Sequence, residues 1–184
     1  LEASVAYLTG YIVEKSLSLD NIFVFALIFG YLRIPAQYQH RVLYWGILGA
    51  LVMRGIMIGA GTALIHQFEW ILYLFGVLLL ISAIRFMIGG AHSIDVEKSL
   101  LVRLLRRFLP FAPQGSGQKF LVKLPDGSLA ATPLLLALVM IEASDVLFAV
   151  DSIPAVFAVT YDSFIVFTSN IFAILGLRSL YFAL

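Results

Sequence analysis

Residues 132–158 read TPLLLALVMIEASDVLFAVDSIPAVFA, and this stretch decides the fold. It has the length and apolarity of a bilayer-crossing helix, which needs about 20 residues. It opens on Thr132-Pro133, an N-cap followed by proline at the first helical position. Yet it carries Glu142, Asp145 and Asp151, and charge is costly in hydrocarbon, so intramembrane acids mark function by default. A second stretch, residues 14–22, reads EKSLSLDNI and matches its later part: an acid, five residues, Asp, a small polar residue, Ile. Glu14 falls on Asp145, Asp20 on Asp151 and Asn21 on Ser152.

The rest of the chain agrees with a membrane setting. Of its 184 residues 61% are hydrophobic and 12% charged, against about 45–50% and about 25% in soluble proteins. So few charges cannot cover a soluble fold of this size, and so apolar a chain is not disordered. The absence of cysteine excludes disulfides, thiolate metal sites and a cysteine nucleophile in this sequence. Twelve basic residues balance eleven acids, so no nucleic-acid partner is expected. Residues 1–184 read as a single membrane domain whose chief partner is the lipid bilayer. Opening on Leu1 and stopping at Leu184 within an apolar run, they are expected to be an internal fragment of a longer chain.

Five apolar spans follow: 3–32, 42–65, 70–89, 132–158 and 163–184. Trp45, Trp70, Tyr73 and Tyr181 lie near span ends, where such rings favour the headgroup layer. The connector 33–41 has two basic residues, 66–69 and 160–162 none, and 90–131 six: Lys98, Arg103, Arg106, Arg107, Lys119 and Lys123. Positive connectors stay cytoplasmic, so the connectors alternate in, out, in, out, and spans one and four cross in opposite directions. Matched polar motifs in oppositely directed spans point to a transporter's binding site. The expected fold class is all-α, a polytopic transmembrane helix bundle with inverted-topology repeats.

Within the cytoplasmic basic connector 90–131, Leu101, Leu104, Leu105 and Phe108 share one helical face, and Arg103, Arg106 and Arg107 the other. Residues 100–109 are therefore expected to form a helix on the anionic leaflet, ended by Pro110 and Pro113. Residues 119–124 and 128–131, joined by Pro125-Asp126-Gly127, predict a small β-hairpin. The connector reads as a topological anchor.

A six-residue step along a helix turns roughly 240°, so both acids of each motif face one cavity only if the helix breaks near Asp20 and Asp151. Pro154, Asn21 and Ser152 supply reasons to break. Glu14, Asp20, Asn21, Glu142, Asp145, Asp151 and Ser152 are the candidate metal ligands, with Glu142 at the rim. Carboxylate, carboxamide and hydroxyl oxygens suit Mg²⁺, Ca²⁺ or Mn²⁺ over Zn²⁺ or Cu⁺. His40, His66 and His92 fall in or beside connectors and form no cluster. The competing reading is that acids pair with buried bases. Lys15 neighbours Glu14, Arg54 is the expected internal counter-charge, and Arg85 and Arg178 are expected to snorkel. Lys15 has two readings, snorkelling or replacing a departed cation.

The string Glu14–Asn21 resembles the first signature of the TerC family of integral membrane proteins. Residues 131–135, 142–145, 148–155 and 168–178 resemble its second half, and the likeness is strongest to the Alx-type branch. The resemblance covers nearly the whole chain. It implies a multi-pass protein of the bacterial inner membrane that exports Mn²⁺ as its substrate, with the metal role carried by the seven residues named above. Chloroplast relatives imply the alternative of a membrane scaffold or protein-insertion factor. No nucleophile–base pair or cofactor motif is visible, so neither an enzyme nor a resident cofactor is expected.

Overall fold

Helical periodicity governs most of the described residues. The computed structural model describes residues 1–68, 70–88, 110, 117, 119–125 and 127–183, without the side chains of residues 20, 85, 86, 178, 182 and 183. Its elements are α1 (Glu2–Leu17), α2 (Leu19–Tyr31), α3 (Ala36–Gln67), α4 (Ile71–Met87), β1 (Leu121–Lys123), β2 (Leu129–Ala131), α5 (Pro133–Phe157) and α6 (Ser163–Ala183). Among the described residues α3, α5 and α6 are long and apolar enough to cross a membrane, and α4 is a shorter apolar helix. The fold is an all-α polytopic membrane bundle carrying one small hairpin. The expected surface helix over 100–109 lies outside the described residues.

The first expected span is divided at Ser18, two residues before the break expected near Asp20. Neither α1, with 16 residues, nor α2, with 13, spans a bilayer alone. The interruption is slight. The Ser18 N–H donates to the Glu14 carbonyl at 2.9 Å, and its carbonyl accepts from the Asn21 N–H at 3.1 Å. At the far end of α2, Arg33 takes φ 50°, and Ile34 N–H closes back onto Phe29 O at 3.0 Å. This left-handed stop turns the chain into α3.

The second expected break does not occur. α5 runs unbroken past Asp151 and through Pro154. A proline removes one N–H and frees one carbonyl, here that of Val150. Pro154 stands three residues from the helix end, so only the last turn has to absorb this, which membrane helices tolerate. The two motif segments therefore differ in local form. α3 differs too, beginning six residues before its expected start; its 32 residues make about 48 Å of helix, more than the hydrocarbon core requires.

Packing fixes the helix directions. Gly10 of α1 abuts Val156 of α5, while Phe25, Ile28 and Phe29 of α2 share a core with Leu134, Leu136, Ala137, Met140 and Ile141 of α5. The α1–α2 segment thus runs antiparallel to α5. Along α3, Gly49 lies at Glu142 and Gly61 at Phe157, so α3 is parallel to α5. In α6, Ser163 Oγ donates to Thr62 Oγ1 at 3.1 Å and Tyr181 OH donates to Gln39 Oε1 at 2.9 Å, which makes it antiparallel to α3. In α4, Phe75 stacks on Phe157 with centroids 6.2 Å apart, and Ser82 reaches Asp151. Among the described residues, α1–α2, α3, α4, α5 and α6 therefore alternate in direction. Arg33, Arg41 and the hairpin collect at one end, and Gln67 and Asp162 at the other.

Lipid tails are as apolar as leucine, so close packing and polar contacts hold such helices together more than water exclusion does. Gly61 shows the packing: a Cβ there would lie 2.9 Å from Phe157 Cε2. The hairpin pairs Leu121 with Ala131, Val122 with Ala130 and Lys123 with Leu129, as the turn residues predict, and Gly127 supplies the required φ of +83°. Thr132 joins it to α5. Its Oγ1 donates to the Lys119 carbonyl at 2.8 Å and accepts from Leu135 N–H at 3.4 Å.

Candidate functional site

The antiparallel course of α1–α2 and α5 brings polar groups into the interior of the bundle. Glu14, near the end of α1, is completely buried, and Arg54 of α3 is 1% exposed. The two form a buried ion pair. Glu14 Oε1 accepts from Arg54 Nη1 and, at 2.9 Å, from Ser18 Oγ. Glu14 Oε2 accepts from Asn170 Nδ2 of α6 at 3.0 Å. Asn170 Oδ1 accepts from the same Arg54 Nη1, so its amide bridges acid and base. Ser152 of α5 lies 3.4 Å from that nitrogen.

Four elements thus contribute to one buried polar layer. Removing either charge would leave the other uncompensated in a low dielectric, which ties α1 and α3 together through Asn170. Arg54 is the internal counter-charge that its depth in the second span suggested. Lys15 is not: its Nζ donates to Tyr11 OH at 3.0 Å, 5.3 Å from that ring's centroid, and lies against Gly176 of α6.

The other candidate ligands are spread along the interior. Asn21 is buried, and its Oδ1 meets no donor among the described residues. Asp145 is 5% exposed on the inner side of α5. Asp151, half-buried, accepts from Ser82 Oγ of α4 at 2.7 Å. The Glu142 carboxylate lies against Gly49. The side chain of Asp20 lies outside the described residues. Of the seven, Glu14 and Ser152 are brought together, through Arg54. Among the described residues no three His, Asp or Glu side chains gather closely enough to hold one metal ion.

A family profile for the integral membrane protein TerC family matches residues 1–184, the whole chain. The chain belongs to the TerC family. It is 55% identical over 183 residues to an uncharacterized membrane protein, STKORF319, of Myxococcus xanthus, covering 100% of this chain and 57% of that protein. It is 52% identical over 181 residues to the candidate membrane-bound redox modulator Alx of Salmonella typhi, and 51% identical over 181 residues to that of Escherichia coli K12. Each of these covers 98% of this chain and 56% of the relative. The TerC chain therefore spans little more than half the length of these relatives. No solved structure matches it.

Two members of the TerC polar layer, Ser18 and Asn170, had no role in the sequence reading, and neither did the neighbouring Ser169, whose hydroxyl donates to the Val166 carbonyl. Ser169 is fully buried beside Gly10. An amide in an apolar span carries no formal charge, so the accounting of acids and bases passed over Asn170. Its position in the Thr168-Ser169-Asn170 string, the most polar part of an otherwise apolar span, was the available signal.

Proposed function

We propose that this chain is the ion-handling part of a membrane exporter of hard divalent cations, with Mn²⁺ as the leading substrate and the bacterial inner membrane as its site. The observation that carries this reading is the layer of oxygen donors buried where two oppositely directed motif segments meet. Carboxylate, carboxamide and hydroxyl oxygens are the ligands such ions prefer, and ionisable groups within a membrane are costly enough to mark a functional site. Asn21 Oδ1, buried without a donor among the described residues, is an acceptor suited to a cation. Asp145 and Asp151 extend the acidic character along α5.

The names of the Alx relatives suggest redox modulation. Since this segment has no cysteine, it offers no thiol–disulfide couple, and a redox role here would run through the redox-active metal that it moves. The scaffold alternative finds no specific support in the arrangement of the bundle.

The test is Mn²⁺ efflux from vesicles containing the full-length protein. Asp151→Asn and Asn21→Ala should slow efflux by about tenfold or more, the equivalent of roughly 1.4 kcal/mol of lost binding. Asp162→Asn should leave it unchanged. Efflux at the unmodified rate in normally inserted Asp20→Asn and Asp151→Asn variants would show the acids to be structural.

A further inference from the structure

Three oxygens from three helices converge on one nitrogen. Arg54 Nη1 donates its two N–H groups to Glu14 Oε1 of α1 and to Asn170 Oδ1 of α6, and Ser152 Oγ of α5 lies 3.4 Å from the same nitrogen. The other two guanidinium nitrogens, Nε and Nη2, are buried and meet no acceptor among the described residues. A guanidinium presents five N–H groups in a rigid planar fork, and a site shaped for it lines the fork's edges. Here the oxygens gather at one nitrogen and leave the rest of the fork unlined among the described residues. Carboxylate, carboxamide and hydroxyl oxygens gathered at one place are what a hard cation takes.

We propose that Arg54 is a tethered stand-in for the transported cation. It fills the oxygen site of Glu14, Ser152 and Asn170 while the cargo is away, and guanidinium and cargo exchange there. This deepens the divalent-cation reading and rests on it. Leaving the site empty would strand the wholly buried Glu14 carboxylate, a strongly unfavourable state. Arg54 keeps the carrier neutral between cycles. Since Arg54 belongs to α3 and the oxygens to α1, α5 and α6, the exchange also changes what fastens α3 to the rest of the bundle.

The experiment uses the full-length protein in lipid nanodiscs and Mn²⁺ itself as the probe. Arg54→Gln removes the competitor and should bind Mn²⁺ at least about tenfold more tightly while moving it more slowly. Arg54→Lys keeps a point charge with three donors and should bind much as the unmodified protein does. Infrared difference spectra of the unmodified protein carrying isotope-labelled arginine give a readout that does not depend on a variant folding. Mn²⁺ should shift the guanidinium C–N stretching bands, and Arg54→Lys should lack that shift. Unchanged or weaker binding by inserted Arg54→Gln, or Mn²⁺ binding with no arginine response, overturns the exchange while leaving the exporter reading intact. An unmodified protein that neither binds nor moves Mn²⁺ overturns the exporter reading itself.

Discussion

Gly49 of α3 and Glu142 of α5 touch so closely that a Cβ on the glycine would overlap all three atoms of the carboxylate. The helices approach here because one of them presents no side chain. Gly49→Ala should therefore push the Glu142 side chain aside, at a cost of about 1 kcal/mol, toward the low end for overpacking because the displaced atoms end a flexible chain. In a Glu142→Ala background the same change should cost nothing. Thermal unfolding of the four proteins in detergent gives the coupling directly.

The Glu14–Arg54 pair makes a sharper demand. Neutralising either partner alone, by Glu14→Gln or Arg54→Gln, should lower stability by about 3–5 kcal/mol, because the remaining charge stays buried. The double variant should recover more than half of that loss. A double variant that loses the sum of the two single losses would show that the two side chains do not depend on each other.

Asp162 caps α6, accepting from Phe164 N–H at 2.9 Å and Ile165 N–H at 3.3 Å. Asn caps as well as Asp, so Asp162→Asn should keep the helix end. Asp162→Ala should cost about 1 kcal/mol. Hydrogen exchange in the first turn of α6 separates the two, and this is what makes the Asn variant a fair control for transport.

Single cysteines in a chain that has none give the topology. Cysteines at Gln67 and Asp162 should react with an impermeant thiol reagent from outside, and one at exposed Ser128 only from the cytoplasm. Labelling of Gln67 and Ser128 from the same side would contradict the alternating passages.

The elements legible in the sequence are those set by short-range rules. The hairpin follows from Pro125-Asp126-Gly127 between two short runs, since only a residue tolerant of positive φ suits Gly127. Arg54 was legible as a counter-charge because it is the one charged residue deep in the second span. The break in the first span was placed two residues late: Asp20 and Asn21 drew attention, whereas the interruption falls at Ser18. At Pro154 the helix continued, because the proline stands so near the helix end that only the last turn had to absorb it. The role of Asn170 was not legible, because its partners Glu14 and Arg54 lie 156 and 116 positions away and only the folded bundle brings them together.

The joint at Ser18 divides one membrane passage between two loyalties. α1 packs chiefly on α6, whereas α2 packs chiefly on α5. A sliding of α5 against α6 would therefore pull the two halves of the passage apart at a single residue. That residue's hydroxyl is fastened to the Glu14 carboxylate. The joint of the passage is thus fastened into the buried polar layer by this hydrogen bond, so the two halves of the passage cannot part without that contact being remade.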